Sequence, residues 1–413
     1  MPPAYVFVAD DFTGATDTLA TLARAGRSVR LFLDVPSPDE VQGLDAFGIA
    51  TGARALDNER LDALMERIGN RLAPHRPDIL HLKICSTFDS SPTTGNFARS
   101  MAALSRATGI ARQAIVGGQP SLGRYCIFGH LFARAADGGV HRIDRHPVMR
   151  VHPVTPMTES DLALHFAGLG GARPARVDHS SLNADAPWSE SGPVLFDALE
   201  ADDIERIGRH LRRAAPVLAA GASSVAEAVM GAAAPRPVAR QRLRAPVLAF
   251  AGSRSAVSAE QVARAGAFAR LPVPPRSLLD PTEHRTIGAE AAAALASGQH
   301  VLLSLEDTTG DANAPHELAR LSADLVSDIL GGGDAGALLV AGGDTSSAIL
   351  RRLAPHAIAY EGDIDPGVSL CRADFEDAPS LPIVLKGGQV GKLSLFDDIV
   401  GQVLCFAPGR KTQ

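Results

Sequence analysis

Short apolar runs alternate along the chain with longer segments in which apolar residues recur at helical spacing. The first run covers residues 5–9, and Leu19, Leu22 and Ala23 then recur at helical spacing. A helix is also predicted at 58–72, and further strands are predicted at 28–33, 46–51, 79–84, 114–116, 194–196 and 217–219. Strands that alternate with helices across short loops are typical of a parallel sheet with helices on both faces.

The same alternation resumes after residues 234–246, a segment rich in proline and arginine that lacks periodicity and is typical of a linker. Beyond it, helices are predicted at 256–269 and 315–329, and strands at 247–251, 300–304, 337–341 and 383–385. A chain of 413 residues is also too long for one ordinary core. We therefore predict two α/β domains, 1–233 and 247–413, each a mostly parallel sheet flanked by helices.

Composition limits the partners and the compartment. An aromatic content of 5% and a formal charge of -6 give neither the stacking surface nor the basic footprint of a nucleic-acid-binding protein. The four cysteines are far apart and lack metal-ligand spacing, which favours a reducing compartment. No signal-peptide pattern precedes the first strand, and no apolar run approaches the ~20 residues of a membrane span. We expect a cytoplasmic protein that binds neither nucleic acid nor membrane.

Two adjacent carboxylates, Asp10 and Asp11, end the first apolar run. In open α/β sheets, ligands bind beyond the carboxyl ends of the strands. Thr13 is the predicted N-cap of the following helix, and Gly14 lets the backbone approach a ligand closely. One carboxylate could cap the helix while the other is solvated, but two exceed what capping requires. The pattern therefore favours a ligand site.

Two other loops of this domain follow predicted strands. Arg54 follows the strand at 46–51, where a guanidinium can pair with a carboxylate or phosphate, although an ordinary surface arginine is an equal alternative. Lys83 precedes a hydroxyl-rich loop that contains Ser86. Its mixture of donors and acceptors suits a polyhydroxylated ligand, and a Ser/Thr-rich turn is the alternative.

Charge is concentrated between residues 142 and 157, where Arg150 and two histidines, His146 and His152, occur. Histidine titrates near neutral pH, but each of these precedes a proline, which favours a structural or substrate-contacting role over catalysis. Thr158 with Asp161 resembles a capping box at the start of a helix.

Three loops of the C-terminal domain each place glycine and small hydroxyl residues after a strand, which suits phosphate. The loop at 387–392 is one residue short of a P-loop, and no dinucleotide fingerprint is present. The residues alone predict a sugar-like or acidic ligand on the first domain and a phosphorylated one on the second. The candidate nucleotide ligands are Ser253, Ser255, Gly342, Gly343, Asp344, Thr345, Gly387 and Gly388.

The order of these motifs resembles that of the four-carbon acid sugar kinases. The matching segments cover nearly the whole chain and lie at 10–17, 83–89, 152–158, 252–255 with Gln261, 341–346, 366–368 and 385–388. Three departures stand out: the last motif lacks the family's phenylalanine, Arg254 replaces a small residue, and 96–98 is not Asn-Ile-Gly.

The resemblance implies that the N-terminal domain binds a sugar acid, that the C-terminal domain binds ATP, and that the active site lies in the cleft between them. It also implies ATP and Mg²⁺ as cofactors, with the metal ligands unassigned. Members of the family phosphorylate the 4-hydroxyl of threonate, erythronate or 3-oxo-tetronate, and residues 85–90 resemble the 3-oxo-tetronate branch.

On this resemblance, Asp10 and Asp11 bind substrate hydroxyls and one of them accepts the proton, with Asp11 as our catalytic candidate. The residues expected to bind the rest of the substrate, above all its carboxylate, are Arg54, Lys83, Ser86 and Arg150. The alternatives are a D-threonate or D-erythronate kinase, a non-catalytic sensor of sugar acid and nucleotide, and a sugar-phosphate isomerase or lyase. A homodimer is compatible with the sequence.

Overall fold

The chain forms two compact units, 1–237 and 238–413. The computed structural model describes residues 3–135, 137–152, 154–182, 192–231, 243–253, 255–306, 315–365, 367–401 and 403–404. The predicted linker lies outside the described residues up to position 242, as do the motif residues Pro153, Arg254 and Pro366. Among the helices of the described residues, none combines the length and the apolar character that crossing a membrane requires.

The first unit alternates strands and helices as its hydrophobic pattern predicts. Its strands are β1 (Tyr5–Ala9), β2 (Val29–Phe32), β3 (Ala46–Ala50), β4 (Ile79–Lys83), β5 (Gln113–Gly117), β6 (Arg124–Ile127), β7 (His130–Arg134), β8 (Val140–Arg142), β9 (Ala175–Val177), β10 (Val194–Asp197) and β11 (Val217–Gly221). Its helices are α1 (Phe12–Arg24), α2 (Asn58–Leu72), α3 (Phe97–Thr108), α4 (Leu162–Gly168), α5 (Ala201–Ala214) and α6 (Ser224–Met230).

Within this unit the strands run in the order β2-β3-β1-β4-β11-β5-β10-β9, and every pair among them is parallel. All residues of β1, β3, β4 and β11 are buried, because helices cover both faces of a parallel sheet. The register pairs Ala9 with Ala50 on one side and with Lys83 on the other. The carboxyl ends of β1, β3 and β4 therefore lie side by side.

Residues 124–142 form the antiparallel sheet β6-β7-β8, although the pattern of residues 124–132 is of mixed type. Burial alternates along it: Cys126, Leu131 and Ala133 are buried, whereas Tyr125 and Phe132 are half-buried. An antiparallel sheet that buries one face produces this alternation.

The second unit repeats the α/β alternation. Its strands are β12 (Leu243–Arg244), β13 (Val247–Ala251), β14 (Phe268–Val273), β15 (His300–Leu305), β16 (Ala337–Ala341), β17 (Ala357–Asp365), β18 (Val368–Asp374), β19 (Leu381–Lys386) and β20 (Val403–Leu404). Its helices are α7 (Ala256–Arg264), α8 (Pro275–Leu279), α9 (Pro281–Ala296), α10 (Pro315–Gly331), α11 (Gly343–Leu353) and α12 (Leu395–Gly401).

Within this unit, β14-β15-β13-β16-β19 are parallel, and β18 and β17 follow as antiparallel strands. The predicted α/β class with mostly parallel sheets is confirmed. The predicted helix at 256–269 is too long, because α7 ends at Arg264 and Phe268 begins β14. The break follows from Ala265 and Gly266, which leave the helical conformation and turn the chain toward the next strand.

Candidate active site

The first cluster of candidate residues lies at the carboxyl ends of β1, β3 and β4. Asp10 and Asp11 follow β1, Arg54 lies in a short 3-10 helix after β3, and Lys83 ends β4. Backbone hydrogen bonds join these segments: the Asp10 N–H donates to the Lys83 carbonyl at 3.0 Å, and the Arg54 N–H donates to the Asp10 carbonyl at 3.1 Å. The parallel register thus brings residues that are distant in sequence to one edge.

Arg54 binds both aspartates. Its Nε and Nη2 donate to the two Asp10 oxygens at 3.0 and 2.8 Å, and its Nη1 lies 2.6 Å from Asp11 Oδ2. Such a fork fixes the geometry of a carboxylate as well as its charge. Because its three nitrogens face carboxylates, the Arg54 guanidinium orients the aspartates in this structure.

The N-cap of α1 is Asp11, so the prediction of Thr13 is wrong. Asp11 has extended backbone (φ -141°, ψ 167°), and its Oδ1 accepts the Gly14 N–H at 2.6 Å. An N-cap needs this non-helical backbone, whereas Thr13 already lies inside the helix. One Asp11 oxygen therefore caps α1, and the other faces Arg54.

The charges of this cluster perturb one another. Burial raises the pKa of Asp10 above its ordinary value, against the opposing attraction of Arg54, and the charge of Asp11 adds to the increase. Burial lowers the pKa of Arg54, but the carboxylates of Asp10 and Asp11 outweigh burial and hold that pKa well above its ordinary value. The cluster thus combines two partly desolvated carboxylates with a permanently charged guanidinium.

Lys83 is 4% exposed, and its Nζ donates to the Ile84 carbonyl at 2.9 Å. A Cβ added to Gly14 would lie 2.6 Å from the Lys83 Nζ and 2.7 Å from Asp11 Oδ1. These distances are too short for a methyl group, so position 14 has no room for a side chain unless Lys83 moves. The ammonium thus lies at the start of α1, beside the Asp11 carboxylate.

The hydroxyl-rich loop after β4 is tied together by its own side chains. The Cys85 Sγ lies 2.9 Å from Thr87 Oγ1, the Thr87 hydroxyl donates to Asp89, and Ser86 is half-buried. Phe88 adopts the left-handed region at φ 56° and packs edge-on against Phe97. Burial, reinforced by the negative charge of Asp89, raises the pKa of the Cys85 thiol to about 11. Cys85 is therefore a neutral thiol near pH 7, and not a nucleophile.

The segment 152–158 joins this loop. The Thr155 hydroxyl lies 3.2 Å from Asp89 Oδ2 and 3.1 Å from His152 Nδ1. His146 Nδ1 instead accepts the backbone N–H groups of Val148 and Met149 at 3.2 and 3.3 Å, so His146 shapes its own turn.

Two predictions for this region, the ligand Arg150 and the capping box at Thr158, have different outcomes. Arg150 is exposed, and among the described residues no side-chain hydrogen bond or ion pair joins it to the aspartate cluster. The capping box at Thr158 is wrong: α4 begins at Leu162, and Asp161 is its N-cap because its Oδ1 accepts two backbone N–H groups.

Arg124 interacts electrostatically with Cys85 of the loop after β4. Sequence reasoning did not select it as a candidate, because a single arginine in a segment of mixed type gives no signal. It begins β6, and its Nη1 donates to the carbonyls of Leu122, Gly123 and Arg134 at 3.1, 3.4 and 3.3 Å. Burial lowers its pKa, whereas the nearby Cys85 raises it. No ion pair with a carboxylate is found for Arg124 in the part of the chain that the structure describes.

The second cluster lies at the carboxyl ends of β13, β16 and β19 in the other unit. Register pairs Ala251 with Ala341 and Ala341 with Lys386, so the three strand ends are adjacent. The backbone N–H groups of Gly252 and Ser253 both donate to the Ala341 carbonyl, and the Gly342 N–H donates to that of Lys386. The three glycine-containing loops therefore meet at one edge.

These loops are in close contact with one another. A Cβ on Gly252 would lie 2.1 Å from Thr345 Oγ1, and a Cβ on Gly388 would lie 2.3 Å from Ser253 Oγ. Gly342, the N-cap of α11, has φ 128°, which side chains rarely tolerate. The glycines are thus required by the close approach of neighbouring loops.

Helix α11 begins in the middle of this edge. Thr345 and Ser346 in its first turn are buried, and Asp344 is exposed. The N-terminus of a helix of this length offers free N–H groups and a positive dipole end to an anion.

The start of α7 supports the loop at 386–391. Ser255 is the N-cap of α7, and its hydroxyl and that of Ser258 both donate to the Gly388 carbonyl. The Gln261 Nε2 donates to the carbonyls of residues 390, 391 and 392 at 3.1, 3.0 and 2.9 Å. Sequence reasoning missed Ser258, since one serine inside a helix carries no signal of its own.

Among the described residues, no group of three or more His, Cys, Asp and Glu side chains is arranged to hold a metal ion. Mg²⁺ in nucleotide sites is usually bound through phosphates and one or two carboxylates. The exposed Asp344 beside the glycine loops fits that requirement as a single carboxylate.

Two family models match this chain. A family described as sugar-binding N-terminal domain matches residues 5–229, and one described as nucleotide-binding C-terminal domain matches 248–396. A 3-oxo-isoapionate kinase of Paraburkholderia graminis is 31% identical, covering 94% of this chain and 92% of its own. A 3-oxo-tetronate kinase of Salmonella typhimurium and a D-threonate kinase of Bordetella bronchiseptica are each 28% identical, covering 94% of this chain and 96% and 95% of theirs.

Solved structures share the fold. A Salmonella typhimurium LT2 protein aligns with a TM-score of 0.81 at 25% identity, covering 95% of this chain and 98% of its own. A Haemophilus influenzae protein aligns with a TM-score of 0.75 at 20% identity, covering 97% and 100%. With these two domains and kinase relatives, the chain is a sugar-acid kinase, a phosphotransferase that acts on a hydroxyl group. Within that class, the chain belongs to the four-carbon acid sugar kinase family.

Proposed function

We propose that this protein is an ATP-dependent kinase that phosphorylates the 4-hydroxyl of a 3-oxo sugar acid, with 3-oxo-tetronate as the first candidate. The observation that carries the proposal is the cluster of Asp10, Asp11, Arg54 and Lys83 at one sheet edge. The relative at 31% identity is named a 3-oxo-isoapionate kinase, so 3-oxo-isoapionate is the second candidate. Both candidates share the 3-oxo group.

The aspartates are proposed to accept hydrogen bonds from the substrate hydroxyls, with Asp11 receiving the proton of the attacking hydroxyl. Arg54 would hold both carboxylates in place while they do so. Phosphoryl transfer depends more on positioning and charge neutralisation than on a strong base. We therefore expect substitution of one aspartate to reduce turnover without always abolishing it.

Lys83 is the best supported of the proposed ligands for the substrate carboxylate. Its ammonium is buried, and the one acceptor described for it is a carbonyl oxygen, which leaves N–H donors for an anion. Arg54 already faces two carboxylates and would contribute less. Ser86 is proposed to hydrogen-bond the substrate, and Arg150 remains a proposed ligand without a described link to the cluster.

The loops of the second domain are proposed to cradle ATP. The N-terminus of α11 and the backbone N–H groups around Gly342, Gly343 and Thr345 would bind phosphate, and Ser253, Ser255, Gly387 and Gly388 would border it. Asp344 is the candidate carboxylate for a phosphate-bound Mg²⁺, which would neutralise charge on the transferring phosphoryl group.

A coupled assay of ADP release with Mg-ATP tests the proposal on 3-oxo-tetronate, 3-oxo-isoapionate, D-threonate and D-erythronate. Release with a 3-oxo acid, lowered in Asp11→Asn and Gly343→Val, supports it. Release with D-threonate or D-erythronate alone would assign the protein to the other branch of the family. Binding of acid and ATP without turnover would favour a sensor, and conversion of the acid without ATP an isomerase or lyase.

A further inference from the structure

Lys386, the last residue of β19, is a buried cation whose charge is not balanced in the described part of the chain. The residue is 3% exposed, and its Nζ lies 3.0 Å from the Ser258 hydroxyl oxygen. An ammonium group has three N–H donors, and Ser258 uses one. Within the described residues, no carboxylate forms an ion pair with Lys386. A buried charge without a counter-ion is unfavourable unless a ligand completes the site.

The position of Lys386 indicates that this ligand is an anion bound by the glycine-containing loops. Its backbone carbonyl accepts the Gly342 N–H, which ties it to the start of α11. Its side chain reaches Ser258, whose hydroxyl donates in turn to the Gly388 carbonyl. Among the residues of these loops that the structure describes, the two other charged side chains, Asp344 and Lys392, are exposed. Within the described residues, Lys386 is therefore the buried charge of this edge, whose other buried polar groups are backbone N–H groups and hydroxyls.

We propose that the Lys386 ammonium binds a phosphate group of the nucleotide, and that Ser258 orients it for this purpose. This inference rests on the proposed use of ATP. Burial lowers the pKa of Lys386 to about 8, as expected of an ammonium that lacks an anionic partner. Phosphate would supply the missing charge and accept the remaining N–H groups.

A purely structural role makes a different prediction. If Lys386 only tied β19 to α7, one hydrogen bond to Ser258 would suffice and the positive charge would serve no purpose. Removing the side chain would then destabilise the loops and weaken every nucleotide equally. If Lys386 instead binds phosphate, removing its side chain should weaken the binding of phosphorylated ligands and spare adenosine.

The experiment measures binding of adenosine, AMP, ADP, ATP and inorganic tripolyphosphate by calorimetry. The variants are Lys386→Met, Lys386→Arg and the matched control Lys392→Met, whose lysine side chain lies in the same loop and is 71% exposed. We expect Lys386→Met to lower the affinity for ADP, ATP or tripolyphosphate by about tenfold or more, because a charged hydrogen bond is lost. Its adenosine affinity and unliganded melting temperature should stay equal to or above wild type, and Lys386→Arg should recover part of the loss.

Equal loss of adenosine and ADP affinity in Lys386→Met, with a lower melting temperature, would overturn the inference in favour of a structural tie. Unchanged affinity for ADP, ATP and tripolyphosphate would overturn it as well. If the wild-type protein binds no adenine nucleotide, the proposed function fails instead. Tripolyphosphate binding then still decides whether Lys386 holds phosphate.

Discussion

The two candidate sites lie at equivalent places, the carboxyl ends of parallel strands, but they are built differently. The site of the first domain consists of charged side chains, in which Arg54 is already paired with Asp10 and Asp11 and the Lys83 ammonium contacts a carbonyl oxygen. In its described residues, the site of the second domain consists mainly of backbone, glycine and hydroxyl groups around Lys386, a buried cation without an ion pair. Paired side chains can distinguish hydroxyls from one another, whereas backbone N–H groups suit any phosphate. Chemical identity therefore matters most in the first site, and the absence of side chains matters most in the second.

The largest expected effect is the loss of Arg54. Arg54→Met leaves two adjacent carboxylates without their cation, and breaking such a partly buried cluster costs about 3 kcal/mol of unfolding free energy. The pKa of Asp10, already raised by burial, should rise further. A group with a raised pKa in the folded state binds protons more tightly there than in the unfolded chain. The stability deficit of Arg54→Met relative to wild type should therefore shrink as the pH falls from about 7 to about 5.

Urea unfolding of wild type and variant at both pH values measures this deficit. Arg106→Met is the control, because Arg106 forms an ion pair with Glu66 in which both side chains are more than half exposed. Its loss should change stability by less than about 1 kcal/mol. A deficit of Arg54→Met that grows toward acid pH contradicts the described geometry.

A smaller effect is expected from adding a methyl group to the second site. In Gly252→Ala the new Cβ would meet Thr345 Oγ1 at 2.1 Å and two further Thr345 atoms at 2.9 Å. Overpacking of this kind costs about 2 kcal/mol, and displacement of Thr345 should weaken ATP by about tenfold. The control is Gly331→Ala in α10, where nothing lies within 4 Å of the added Cβ. Melting temperature and ATP titration measure both variants, and equal behaviour of the two would refute the close contact.

The unpaired cation predicts a pH dependence of the unliganded protein. Folding lowers the pKa of Lys386 from 10.5 to about 8, so between these values the unfolded chain binds more protons than the folded one. Stability of the wild type should therefore rise with pH in this window relative to Lys386→Met. The stability advantage of Lys386→Met over the wild type, in unfolding free energy, should be largest below pH 8 and should shrink toward pH 10. Urea unfolding across this range measures it, and an advantage that grows with pH would count against an unpaired ammonium.

The smallest effect is expected at Cys85. Its pKa of about 11 leaves the thiol protonated, so alkylation by iodoacetamide near neutral pH should be slow. Labelling is best followed by mass spectrometry in a Cys405→Ser background. Rapid modification of Cys85 in the folded protein would mean that the loop after β4 is less buried than described.

Most of the architecture follows from local sequence, because each buried parallel strand is an apolar run that ends in polar residues. The segment from Val6 to Asp11 contains both signals, and both lie where the pattern places them. The hairpin β17–β18 was missed because its strands carry charged residues such as Glu361 and Arg372, which pair with each other. No local pattern distinguishes such a strand from a polar loop.

The candidate sites were harder to predict in detail. Three polar residues precede or begin α1, and the choice of Asp11 over Thr13 as N-cap depends on backbone angles that the sequence does not encode locally. The burial of Lys386 and the role of Ser258 depend on contacts across more than a hundred residues. Long-range register, and not composition, decides these features.

The hydrogen bond from Thr155 to Asp89 has a practical consequence for protein engineering. Asp89 belongs to the loop after β4, and Thr155 belongs to a segment some sixty residues later. A chimaera that imports the first loop from a related enzyme would leave one half of this contact behind. Because a buried carboxylate that loses its donor is unfavourable, an exchange of residues 85–90 should be accompanied by an exchange of residues 152–158.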